Sequence, residues 1–215
     1  MDQFYYAANA RAMVRDGFHL TYANPYDPRP DAPRIYSHLF SLIVAAPAAI
    51  AHLEPLHTYF FLRPILGVIL ALAIWNFAGA IFEGTQARRR VFLLLMCAGG
   101  MSIYAAGFQG LASLIRGGSA DFLEVAGRSY VRLEEFNGDW LCNIARNYLY
   151  TPELLYHAIW FAGLACYLRG RLNWSAAAVA LELYAHPFTG PALALVLGAL
   201  ALCDIALGQE RRRKV

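Results

Sequence analysis

Val91 to Ile115 reads VFLLLMCAGGMSIYAAGFQGLASLI, 25 residues without a charge, and the three residues before it are Arg88, Arg89 and Arg90. A hydrocarbon core about 30 Å thick is crossed by roughly 20 apolar residues in a helix, so this stretch is long enough to span a bilayer. A basic triplet at one end marks the cytoplasmic side. Read outward from that anchor, the chain is expected to be an all-α, polytopic membrane protein.

Composition points the same way. Hydrophobic residues make up 59% of the 215 and charged residues 15%. Mean hydropathy is +0.40, more apolar than a soluble core of this size requires. The net charge of +3 comes from short basic segments, which argues against nucleic acid as a partner. Cys97, Cys166 and Cys203 lie in apolar runs and Cys142 in a polar one, with no metal-site or redox spacing. They read as small buried hydrophobes. Met1 to Asp16 is mixed and aromatic, unlike a secretory signal, so insertion is expected to use internal segments or one further upstream.

Other apolar stretches follow. Tyr59 to Phe82 has 24 residues with only Arg63 charged, near the end where its head group can reach the membrane surface. Pro152 to Leu168 is a 17-residue span that starts on proline, whose missing N–H suits a first helical turn. Trp174 to Leu207 has 34 residues and as one helix would reach about 50 Å, overshooting the hydrocarbon. His186-Pro187-Phe188-Thr189-Gly190-Pro191 is expected to break it. Arg169 with Arg171 on one side, and Arg211 to Lys214 on the other, call for a hairpin that enters and leaves at the cytoplasmic face. Phe40 to Ala51, 12 residues including Pro47, is predicted to be interfacial or re-entrant.

This threading gives one transmembrane domain with three full spans (59–82, 91–115, 152–168), a broken hairpin (174–207) and two extracytoplasmic regions (1–58 and 116–151). The second region carries four arginines and five acids among its aromatics. It is expected to fold on the membrane surface, with short helices near Asp121 to Val125 and Asp139 to Tyr148.

The N-terminal region holds the residues of chemical interest. Asp2-Gln3-Phe4-Tyr5-Tyr6 leads into an alanine-rich helix, then Asp16-Gly17, then Asn24-Pro25-Tyr26-Asp27-Pro28 and a proline-punctuated apolar segment. At helical spacing Tyr5, Ala8 and Ala12 share a face, and Asp2 stands at the helix start, where a carboxylate caps. This order, over residues 2–50, resembles the first extracytoplasmic loop of the glycosyltransferase C superfamily, polytopic enzymes that take sugars from polyprenyl-phosphate carriers. The resemblance implies that Asp2 is the catalytic base, taking the proton of an acceptor hydroxyl as it attacks the anomeric carbon. It implies a polyprenyl-phosphate-linked sugar as donor and admits a divalent cation beside the phosphate. Lipid bilayer and further membrane subunits are the implied partners, in a bacterial or archaeal plasma membrane. Substrate contacts are expected from Tyr5, Tyr6, Arg11, Asp27, Arg29, Arg146 and His186, since guanidinium groups match phosphate oxygens bidentately. Those enzymes place a transmembrane helix before this loop and are longer, so the expectation is of a partial or divergent member.

Plainer readings stand beside these. Asp2 also serves as an ordinary helix cap, and single arginines as solvated or headgroup-binding side chains. Asp27 and Asp31 around Pro28-Arg29-Pro30 read as a stiff turn, and the adjacent Glu134 and Glu135 as solvated. Glu182 and His186, four apart in an apolar hairpin, are expected either as a hydrogen-bonded pair or as a contact to lipid phosphate or substrate. His19, His38, His52, His57 and His157 lack the close paired spacing of zinc or haem sites. No Gly-x-Ser-x-Gly elbow or phosphate-binding P-loop occurs. The competing function class is a non-enzymatic polytopic subunit of a transporter or assembly complex, with the broken hairpin lining a cavity.

Overall fold

The computed structural model describes residues 2–15, 17–24, 26–27, 29, 31–97, 101–116, 124–125 and 150–207, without the side chains of residues 2–4, 97 and 101–107. Among these residues the secondary structure is helical, with two isolated bridges and no strand. The helices are α1 (Asp2–Val14), α2 (Leu39–Ala51), α3 (Pro55–Ile81), α4 (Thr85–Cys97), α5 (Met101–Ile115), α6 (Thr151–Leu168), α7 (Leu172–Ala185) and α8 (Thr189–Ala206). The chain divides into two compact units, Met1–Ile81 with Tyr150–Val215, and Phe82–Leu149.

The smaller unit holds α4 and α5. The expected span 91–115 falls on the later part of α4 and on α5, with residues 98–100 outside the described residues. The arginine triplet occupies the first half of α4. Of the two short helices expected in 116–151, Glu124 and Val125 are helical and the remainder lies outside the described residues.

The larger unit is built around α6, which packs against α3, α7 and α8 and buries residues along most of its length. Leu164 and Tyr167 of α6 join Leu193 and Leu197 of α8 in one apolar cluster, with Phe77 of α3 and Val179 of α7 against it. Gly163 permits that packing, since a Cβ there would lie 3.0 Å from the Ala178 Cβ of α7.

Contacts at the two ends fix the directions of the helices. At one end, Arg169 after α6 donates to the Asn76 Oδ1 of α3 at 2.6 Å, and Tyr167 donates to Asp204 of α8 at 2.7 Å. At the other end, Tyr156 near the start of α6 meets His38 before α2 and His186 between α7 and α8. Helices α3, α6 and α8 therefore run in the same sense and α7 returns between them. The described residues of 15–38, α1 and the first turns of α2 and α3 gather at the end where α6 begins.

The expected break is present: α7 stops at Ala185, His186 is extended (φ −152°, ψ 128°), and α8 starts at Thr189. Pro187 ends the first helix, while Pro191 sits in the first turn of the second, where a missing N–H loses no helical bond. The Phe40–Ala51 segment forms α2, of 13 residues, with Pro47 inside it.

Helices α3 and α8 are long and apolar enough to cross a membrane, with mean hydropathy of 2.0 and 1.8 over their most apolar 18 residues. Only 28% and 17% of those windows is buried within the protein. Phe61, Val68 and Leu72 of α3, and Leu195, Leu202 and Ile205 of α8, face outward.

Candidate functional site

Two groups of side chains occupy the end of the larger unit where α6 begins, and α1 runs between them. The first is aromatic and centred on Tyr156, which is 1% exposed. Two histidines border it, and both cap helices. His38 is extended (φ −143°, ψ 125°) and its Nδ1 accepts the Phe40 N–H of α2 at 3.2 Å. His186 repeats the device, its Nδ1 accepting the Thr189 and Phe188 N–H groups at 3.2 and 3.4 Å to cap α8. A ring nitrogen that accepts leaves the proton of the neutral imidazole on the other, so both rings present Nε2–H.

The His38 Nε2 stands 3.5 Å from the Tyr156 hydroxyl, at the outer limit of a hydrogen bond. The His186 ring lies 4.8 Å from the Tyr156 ring. Tyr6 of α1 packs 5.2 Å from both His38 and Phe40. Burial, with His186 adding to it, pushes the His38 imidazole down to about 4, which keeps it neutral near pH 7.

Tyrosines extend the group outward. Tyr22 pairs with Tyr36 through two backbone hydrogen bonds of 2.8 and 3.1 Å, closing the loop between them. Burial first, then the Tyr5 hydroxyl, push the Tyr22 phenol up, with Tyr6 and Tyr184 adding to the effect. The Ser37 hydroxyl donates to the Leu20 carbonyl at 3.1 Å and bonds the Tyr184 hydroxyl of α7.

The second group is a basic cleft of about 350 Å³ at the C-terminal end of α1, lined by Arg11, Arg15 and Arg34 with Ala8, Ala12, Ala23 and Ala32. Arg11 is paired with Glu54. Arg34 donates to the Ala12 carbonyl at 2.5 Å, satisfying one of the free acceptors at the end of α1. Arg15 has no ion-pair partner among the described residues. Among the described residues, three guanidiniums against one carboxylate leave a surplus of positive charge, and the alanine walls leave room for a phosphate-sized anion.

The sequence-predicted residues divide among several places. Tyr5, Tyr6 and His186 belong to the aromatic group, and Arg11 lines the cleft. Asp2 begins α1, its side chain outside the described residues, and nine residues of helix carry the backbone about 13 Å from there to Arg11. Arg146 lies outside the described residues.

Asp27 and Arg29 hold each other: Arg29 donates to Asp27 Oδ1 through Nε at 2.9 Å and to Oδ2 through Nη2 at 2.6 Å. That pairing holds the Asp27 carboxyl below its ordinary range and raises the guanidinium. No side-chain hydrogen bond joins Glu182 to His186, because His186 has left the helix and its Nδ1 is occupied by α8. Among the described residues no group of three His, Cys, Asp or Glu side chains converges on a metal position.

Sequence reasoning missed Arg15, Arg34, His38 and Tyr156 as members of these groups. The four-residue spacing of Arg11 and Arg15 was an available signal. So was the place of His38 directly before an apolar helix, where a cap acceptor belongs. Arg34 and Tyr156 join through long-range packing alone. No protein-family model, curated protein or solved structure matches this chain.

Proposed function

We propose that the chain is a membrane-embedded, glycosyltransferase-like protein, partial or divergent, that takes a sugar from a polyprenyl-phosphate donor. The observation that carries this reading is the basic cleft of Arg11, Arg15 and Arg34 lying at the same end of the larger unit as the tyrosine-rich group. The cleft suits a phosphate, and tyrosine faces suit a sugar ring.

The outward apolar surfaces of α3 and α8 support a lipid setting, since a soluble protein buries helices of this composition. On this reading Arg169 and Arg171, at the opposite end from the cleft, mark the cytoplasmic face and the cleft opens to the outer one. In the transfer, an acceptor hydroxyl oxygen bonds the anomeric carbon and its proton passes to the Asp2 carboxylate. The bond from anomeric carbon to phosphate oxygen breaks, and the anionic polyprenyl phosphate leaves with its charge met by the arginines.

Sugar transfer from a polyprenyl-phosphate donor, measured in reconstituted vesicles, tests this. Asp2→Asn abolishes transfer at unchanged expression. Arg15→Ala lowers it about tenfold or more, the scale of a charge-assisted contact. Unchanged transfer in either variant removes that residue from the mechanism.

A second reading is favoured by one observation, the buried Glu182 beside the helix break. On it the chain is a non-enzymatic subunit of a transporter or assembly complex, whose broken hairpin carries the function.

A further inference from the structure

Glu182 stands in the last turn of α7 with 0% exposure, and neither of its carboxylate oxygens has a hydrogen-bond partner. A charge held in an apolar interior without a counter-charge is costly and persists only where something offsets it. The hydroxyl of Thr189, buried in the first turn of α8, faces the carboxylate across the break without closing a hydrogen bond.

The helix break frees further oxygens at the end of α7. The Glu182 carbonyl accepts the His186 N–H at 2.8 Å, the last helical bond of α7. The Leu183 carbonyl has no donor four residues on, because residue 187 is proline. The Tyr184 and Ala185 carbonyls lose theirs as well, since the Phe188 and Thr189 N–H groups turn to the His186 Nδ1. Gly190 brings the two helices into direct backbone contact here: a Cβ on it would lie 2.5 Å from the Leu183 Cα and 2.9 Å from the Glu182 carbonyl carbon.

We propose that this junction binds one monovalent cation of sodium's hardness, through the Glu182 carboxylate, the Thr189 hydroxyl and the unpaired carbonyls that end α7. All of these donors are oxygens, the ligands that hard cations take. A single carboxylate matches a single positive charge. Among the described residues no group of three acids, histidines or cysteines converges here, so a divalent ion would remain half-neutralised. The site is independent of the sugar-transfer reading.

Thermal unfolding of the purified full-length protein, in sodium chloride against choline chloride at equal ionic strength, tests the proposal. Sodium raises the unfolding midpoint saturably, and Glu182→Gln loses the shift. Thr189→Ala keeps a shift but needs about tenfold more sodium for half of it, about 1.4 kcal/mol. Equal midpoints in sodium and choline, or a full shift in folded Glu182→Gln, overturn the proposal. So does a midpoint that follows pH but not sodium, which would mean that Glu182 carries a proton only. If Glu182→Gln yields no folded protein, Thr189→Ala decides: unchanged half-saturation overturns the site.

Discussion

The His186 imidazole lies against the Tyr156 phenol with ring centroids 4.8 Å apart, so the break between α7 and α8 is anchored to the first turns of α6. Because the same imidazole caps α8, the break and the cap form one unit with Tyr156. Tyr156→Ala is expected to destabilise the protein by about 3–5 kcal/mol, the scale of an aromatic cavity in a packed core. Tyr156→Phe keeps the ring and loses only the contacts of its hydroxyl, to His38 and to Tyr6, costing about 1–2 kcal/mol. Denaturant or thermal unfolding of both variants measures the difference.

Gly190→Ala places a methyl group against backbone atoms of Leu183, which cannot rotate away. The expected cost is about 1–3 kcal/mol, typical of overpacking, seen as a lower unfolding midpoint. Gly198→Ala on the same helix, where a Cβ meets nothing within 4 Å, is the control and leaves the midpoint at or above that of the wild type, since alanine is the better helix former.

His38 supplies a pH dependence. Its folded value of about 4 lies below the ordinary 6.5, chiefly through burial, so the unfolded chain holds the proton more tightly. Its contribution to stability is complete above about 6.5 and is lost as pH falls through about 4. His38→Asn keeps a cap acceptor for α2 and removes the titration. The unfolding midpoint of the variant therefore falls less between neutral and acid pH than that of the wild type.

Arg15 and Arg29 separate the cleft from the turn. Arg29 and Asp27 form a solvent-screened pair within one turn, and such pairs contribute little to stability. Arg29→Ala is expected to leave stability and sugar transfer close to wild type, whereas Arg15→Ala lowers transfer with stability unchanged. Transfer assays and melting curves on the two variants distinguish these outcomes.

Much of the helical layout was legible in the sequence, because the signals were local. Pro187 and Pro191 sit on either side of Thr189 and require the break, and apolar length alone delimits α3. The start of α6 followed from Pro152. The candidate site was legible only in part, because long-range folding assembles it. Arg34 reaches the end of α1 since Tyr22 and Tyr36 close the loop that carries it. Asp27 and Arg29 read as ligands by residue type, yet a two-residue spacing lets them satisfy each other. Glu182 and His186 have the spacing of a helical pair, and the break that the prolines impose prevents it.

The central claim is that the larger unit crosses a bilayer with its arginine cleft and aromatic group on one side and Arg169 with Arg171 on the other. The most direct test removes the four native cysteines and introduces Asp31→Cys or Arg171→Cys. Each variant is then labelled with a membrane-impermeant maleimide in intact cells and in inverted vesicles. The account predicts that position 31 reacts only from outside and position 171 only from the cytoplasmic face. Labelling of both positions from the same side, or recovery of the chain in the soluble fraction, would contradict it.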